Sequence, residues 1–172
     1  MIKLNDGLCK RDIIALVIAI LFFAGNIQSQ IKVELPQISG EVNSEMLGKI
    51  NIGVVTEYKV VAFQFALYYD KSIIKITGVD VDETLIQGNM PVINADTTNG
   101  KIVVAWASAA PIIGHGTLLS LKIKLIKTGL TKLTTTGPDG ESFMLNAGAP
   151  DSSVIPGEVI VTYVPKKQTE ME

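Results

Sequence analysis

Between Val60 and Tyr69 the chain alternates in character from one residue to the next. Val61, Phe63, Phe65, Leu67 and Tyr69 are large and apolar, whereas Ala62, Gln64, Ala66 and Tyr68 are smaller or polar. Successive side chains of a β-strand point to opposite faces, so a period of two assigns the first set to a core and the second to the outside. The same pattern sets Leu119, Leu121, Ile123 and Leu125 against Ser120, Lys122 and Lys124. It also sets Ile50, Ile52 and Val54 against Asn51 and Gly53. In Lys101–Ala107 the inward Ile102, Val104 and Trp106 oppose Val103, Ala105 and Ala107, so both faces there are apolar.

From Gln30 onward no segment shows helical periodicity, and short β-rich runs follow one another. The expected strands are Ile31–Leu35, Gly48–Thr56, Val60–Tyr69, Ile73–Val79, Val92–Ala95, Lys101–Ala107, Thr117–Ile126, Thr131–Thr135, Phe143–Asn146 and Glu158–Val164. Asn99-Gly100, Gly114-His115-Gly116, Gly137-Pro138-Asp139-Gly140 and Pro156-Gly157 break the runs. Strands at this spacing with turn residues between them predict an all-β antiparallel sandwich of about nine strands. There is no internal repeat.

The first thirty residues differ from the rest. Lys10 and Arg11 precede the uncharged apolar run Ile13 to Gly25, and the polar Asn26, Gln28, Ser29 and Gln30 follow. A basic, then apolar, then polar order predicts a secretory signal peptide over residues 1–29. The alternative is a retained anchor, for which thirteen apolar residues are few against the roughly 20 that span a bilayer. Either reading places the domain, residues 30–164, outside the cell, secreted or at the surface, with 165–172 as a polar tail that frays. Cys9 precedes the apolar run, so removal of the leader leaves no cysteine and stability must come from the core. Loss of Lys3, Lys10, Arg11, Asp6 and Asp12 takes the formal charge from -2 to -3. With 47% hydrophobic and 19% charged residues a packed core is available, and the absence of a basic stripe argues against nucleic acid.

Catalytic chemistry finds few candidates. His115 is the single histidine, set between two glycines in an expected turn, so it reads as an exposed loop residue. Without cysteine and with one histidine, no ordinary zinc site can be assembled. No nucleophile elbow, phosphate loop or dinucleotide fingerprint occurs. Asp80, Asp82 and Glu83 cluster, and Asp139 and Glu141 flank Gly140, but neither group has the spacing of a twelve-residue calcium loop; they read as solvated turn carboxylates. Asp70 follows the last inward aromatic of its strand and is expected to close an Asx turn two residues on. The chain therefore reads as a non-enzymatic binder with no cofactor and no metal. Sugar-binding sandwiches present exposed aromatic rings; here Trp106 points inward, Tyr58 lies in a turn, and Tyr68 is the one outward ring of its strand.

Val60-Val61-Ala62-Phe63-Gln64-Phe65-Ala66-Leu67-Tyr68-Tyr69-Asp70, then Ser72 to Val79, Asn99 to Ala107, Gly114 to Leu121 and Pro156 to Val161 occur in an order that resembles the cohesin family. Cohesins are receptor modules of cellulosome scaffolds, and the resemblance runs from Ile31 to Val164. It implies a jelly-roll form of the sandwich and a partner, a dockerin, held on the outer face of the sheet containing Val60–Tyr69. The residues it implies for partner binding are Ala62, Gln64, Ala66 and Tyr68, with Val103, Ala105 and Ala107 on the strand expected beside them. Ala62 and Gln64 stand where well-known cohesins often carry Asn and Asp, so this surface is flatter and uncharged. A dockerin-like or other extracellular protein is the expected partner. A polysaccharide-binding module and a structural subunit of an extracellular assembly are the alternatives, and contact with a membrane follows only if the leader is retained.

Overall fold

The computed structural model describes residues 30–137, 143–163 and 165. The expected leader, the carboxylates Asp139 and Glu141, and all of the expected tail but Pro165 lie outside the described residues. Twelve strands form among those described: β1 Ile31–Glu34, β2 Gln37–Glu41, β3 Glu45–Ile52, β4 Ala62–Tyr68, β5 Ile74–Asp80, β6 Val92–Asp96, β7 Lys101–Ala107, β8 Gly116–Leu125, β9 Gly129–Leu133, β10 Met144–Leu145, β11 Ser152–Ile155 and β12 Gly157–Thr162. One 3-10 turn, Thr56–Tyr58, interrupts them. The molecule is thus all-β, with more and shorter strands than the alternation alone predicts.

One layer is a five-stranded sheet ordered β11-β1-β3-β8-β5. Facing it are a four-stranded sheet, β10-β4-β7-β6, and a three-stranded sheet, β2-β12-β9. A bridge between Tyr68 and Thr134 ties these two together. Between the layers lies one continuous core that includes Phe63, Phe65, Leu67, Ile102, Val104, Trp106, Leu119, Leu121, Ile123 and Leu125. These are the residues assigned inward from their period of two. The Phe63 ring stacks on Phe65, Trp106 and Phe143, with centroids 6.3, 5.4 and 6.0 Å away. Trp106 is buried, and its indole N–H donates to the Asn89 carbonyl at 3.0 Å, so its one polar atom is satisfied.

Two strands that alternation does not reveal hold the first and last described segments together. β1 and β2 are separated by Leu35-Pro36, and β11 and β12 by Pro156. β1 pairs with β11 and β2 with β12, both in parallel, so the two segments leave one layer and enter the other side by side. Proline has no N–H to give a ladder, which is why the change of sheet falls at these residues. The Leu35 N–H donates to Ile155 O at 3.0 Å just before the corner, and the Glu158 N–H to Pro36 O at 3.0 Å just after it. At Gly48 a Cβ would come within 2.9 Å of Pro36 and 2.8 Å of Ile38, so this glycine lets the corner pack flat on β3. These pairs make the sandwich a mixed one, parallel at its seam and antiparallel elsewhere.

Two inward assignments shift by a residue. The strand expected to run to Thr56 stops at Ile52; beyond it the Val55 N–H donates to Gly114 O at 3.0 Å, Val54 is 60% exposed and Val55 is buried in its place. Likewise β4 begins at Ala62, and Val60 rather than Val61 enters the core. The Val61 N–H donates instead to the Asn146 side chain at 2.9 Å, which holds the start of β4 against the turn after β10. In the middle of β8, Leu118 and Ser120 are also buried, since the segment after β5 crosses there and the Leu85 N–H donates to Thr117 O at 2.9 Å.

Candidate functional site

The outer face of the four-stranded sheet can be assembled from its register. Gln64 of β4 lies opposite Met144 of β10 on one side and Ala105 of β7 on the other, and Ala105 in turn lies opposite Val92 of β6. The row Met144–Gln64–Ala105–Val92 therefore crosses all four strands. On one side of it lie Ala62 and Ala107; on the other lie Ala66, Val103 and Asn94, and beyond those Tyr68, Lys101 and Asp96. All seven residues expected to bind a partner are brought onto this one face. Its charged members, Lys101 and Asp96, share a single row at one end, so the central rows carry only apolar and amide side chains.

Exposure refines that picture. Gln64 and Ala107 are exposed, and Ala62, Tyr68, Val103 and Ala105 are half-buried. Ala66 is only 4% exposed, so it floors the face instead of projecting from it. Val92, which the alternation of β4 and β7 alone does not bring to the face, is 75% exposed and forms its far rim. Met144 and Asn94 complete it, and the Gln64 amide reaches Met144 Sδ at 3.8 Å. Sequence reasoning missed these three because pairing partners are not readable from one strand. For β6 the signal was present: the Asn99-Gly100 turn predicts a β6–β7 hairpin, and its register carries Val92 and Asn94 to the same side as Ala105 and Val103.

Tyr68 does not stand free as a platform. Gly137 lies so close that a Cβ there would meet the phenol ring at 2.1 Å, and Lys101 Nζ sits 5.3 Å from the ring centroid. The β4 backbone at this residue is tied as well, since the Tyr68 N–H donates to Thr134 O at 2.8 Å. The neighbouring Tyr69 points inward, as expected. Its hydroxyl lies beside the Ile76 backbone without reaching hydrogen-bond geometry, and burial raises its pKa above the ordinary phenol value.

Asp70 and Asp96, near this end, and Asp80, at the far end of β5, serve turns. Asp70 Oδ1 accepts from the Ser72 hydroxyl at 2.7 Å and the Ser72 N–H at 2.8 Å, the expected Asx turn, and these bonds lower its pKa. Asp96 accepts from the Asn99 amide at 2.8 Å and from the backbone N–H groups of Asn99 and Thr98, which lower its pKa in the same way. Asp80 accepts from the Asp82 N–H at 2.9 Å and pairs with Lys122 at 3.2 Å. Its pKa is lowered chiefly by that N–H. Among the described residues no three His, Cys, Asp or Glu side chains converge on a point that could hold a metal. His115 is exposed in its loop, where it lines a shallow depression of about 220 Å³ with Lys32, Glu34 and Asn51. No helix among the described residues is long and apolar enough to cross a membrane.

A sandwich whose four-stranded sheet turns a flat, charge-poor face outward is suited to holding another protein. The family model described as the cohesin domain matches residues 31–148. In three dimensions the chain is similar to the cohesin of OlpA from Clostridium thermocellum, crystallised with a dockerin. The TM-score is 0.66 at 12% identity, over 78% of this chain and 100% of that one. It is also similar to the seventh type I cohesin of ScaB from Pseudobacteroides cellulosolvens, with a TM-score of 0.64 and 17% identity over 83% of this chain and 99% of that one. A non-cellulosomal cohesin from the archaeon Archaeoglobus fulgidus gives 0.63 and 16%, over 78% and 92% of the two chains. No curated protein matches the sequence significantly. The family model covers more than half of the sequence, and the solved cohesins repeat its sandwich over nearly their whole length: the chain belongs to the cohesin family.

Proposed function

We propose that this protein is an exported, non-catalytic receptor module that holds a dockerin-like protein on the outer face of the β10-β4-β7-β6 sheet. The observation that carries the reading is the central row Met144–Gln64–Ala105–Val92, an uncharged strip four strands wide on a fold whose solved relatives include cohesins crystallised with dockerins. Burying such a strip costs no desolvated charge, so the gain from apolar area is kept. Export places the module at the cell surface or beyond it, where the leader expected over residues 1–29 would deliver it. A polysaccharide ligand has less support, because the one outward ring of β4 is pressed against Gly137 and flanked by Lys101.

The test is capture of a dockerin-bearing protein encoded in the same genome, measured by calorimetry. Gln64→Arg and Ala105→Arg each place a long cation in the middle of the strip and are expected to weaken binding at least a hundredfold. Lys49→Glu, on the five-stranded sheet, should leave it unchanged. Equal affinity in all three variants would remove this face from the reading, and binding of insoluble polysaccharide by wild type with loss in Tyr68→Ala would replace it.

A further inference from the structure

The four-stranded sheet ends at β6, and that edge is left open. Its inner side pairs with β7 over Val92–Asp96. On its outer side, among the described residues, the backbone takes part in no ladder, and the one further bond is the turn contact from Asn99 N–H to Asp96 O. Exposed edges are normally blunted by charged side chains, lysine above all, by proline, by a bulge or by extreme shortness. The other edges follow that rule. β5 carries Lys75 and a bulge between Ile76 and Gly78; β2 carries Glu41; β11 sits between Pro150 and Pro156. β9 carries Lys132 and runs on to Thr134, which bonds Tyr68, and β10 has two residues. β6 follows Pro91 and carries its one charge, Asp96, at its last residue, so the stretch Val92–Ala95 between them has no charge, proline or bulge. It leads out of Met90, 58% exposed, and starts at Val92, 75% exposed.

We infer that β6 pairs with β6 of a second copy of this chain, antiparallel across a two-fold axis at Asn94, so that two four-stranded sheets become one of eight strands. The edge of an antiparallel strand is complementary to itself under a two-fold rotation, because each outward N–H meets an outward carbonyl of its twin. The position of the axis follows from the side chains. Centred on Asn94, all five residues pair: Val92 with Asp96 of the partner subunit, Ile93 with Ala95 of the partner subunit, and Asn94 with Asn94 of the partner subunit. The two Asp96 carboxylates then lie about 14 Å apart along the strands, from a rise of about 3.4 Å per residue. That exceeds the Debye length of about 8 Å at physiological salt. Centring on Ala95 would bring the carboxylates within about 7 Å, at the same rise. Centring on Ile93 would draw Pro91, which has no N–H, into the ladder. Ile93, half-buried at the open end of the core, gains cover from the partner's Ala95. The Asp96 cap on the Thr98–Asn99 turn holds the hairpin in shape before any partner arrives. The pairing also sets two outer faces side by side, so the receptor becomes two-valent, although the dimer itself does not rest on what that face binds.

Sedimentation velocity on protein made from the complete coding sequence tests it, with a Cys9→Ser background for the cysteine variants. The mass is expected to double with rising concentration, and Asn94→Lys, which opposes two ammonium groups on the axis, should weaken association at least tenfold. Asn94→Cys should form a disulfide-linked dimer under copper-phenanthroline oxidation. Val92→Cys, which faces Asp96 of the partner subunit, and Thr77→Cys, on the other layer, should crosslink at least tenfold less. A protein that stays monomeric up to about 1 mM would overturn the inference. So would a dimer that Asn94→Lys does not weaken, or one that crosslinks equally through Thr77→Cys. Loss of dockerin capture with the dimer intact would strike the proposed function alone.

Discussion

At Gly100 the backbone has φ +64°, and a Cβ would come within 2.2 Å of Tyr69 O. The Gly100 carbonyl accepts the Tyr69 N–H at 2.9 Å, so the β6–β7 turn is pressed against the end of β4. Gly100→Ala combines left-handed strain with a backbone clash, and it should lower stability by about 2–4 kcal/mol in urea denaturation. Phe63 is a second point where one side chain carries much weight, since its ring touches three other aromatics. Phe63→Ala should cost about 3–5 kcal/mol by the same measurement, with Phe63→Leu recovering most of it. Both positions were legible in the sequence, one as Asn-Gly punctuation and one as an odd-numbered large residue. The exposure of Val54 was not, because β3 ends at Ile52 and the Val55 N–H is held by the carbonyl of Gly114, far away in the chain.

Among the elements, three turns are closed by aspartates whose pKa values lie below the ordinary range: Asp70, Asp80 and Asp96. A carboxylate with a lowered folded-state pKa stabilises the fold above its unfolded value, near 3.9, and that contribution is lost as pH falls through the folded value. The melting temperature should therefore hold steady above about pH 5 and fall as acid titrates these groups. The triple variant Asp70→Asn, Asp80→Asn, Asp96→Asn keeps acceptors but not charge. Its melting temperature should be lower than wild type at pH 7, and it should change less between pH 5 and pH 2. A wild-type curve as flat as the variant's would show that the turns draw nothing from charge. Strands announced by large alternating residues were readable here, and β4, β7 and β8 appear close to their expected bounds. β2, with one large apolar residue, and β11, with two serines between prolines, were invisible, because they are strands by virtue of the parallel partners that bond them.

At the scale of the molecule those two invisible strands close the sandwich. Val159 and Val161 of β12 are buried, and β12 lies between β2 and β9. A chain cut after Gly148, where the family match ends, loses both parallel pairs and uncovers the core beside Leu133. It should lose its cooperative thermal transition and bind a hydrophobic dye, whereas a chain cut after Pro165 should melt like the full one. The single cysteine can form no internal bridge, so dithiothreitol should not shift the melting temperature. The sequence by itself determined what alternation and punctuation can carry: an all-β sandwich, its main inward residues, and which side chains leave β4 and β7 toward the outside. Strand period is a local property of the backbone, so no partner is needed to read it. Tertiary structure alone decided the distant neighbours: that β10 extends the face with Met144, that Tyr68 is pinned by Gly137, and that the first two strands run parallel to the last two. Pairing joins residues far apart in the chain through hydrogen bonds that every backbone can offer, and side-chain patterns say little about which strand will take them.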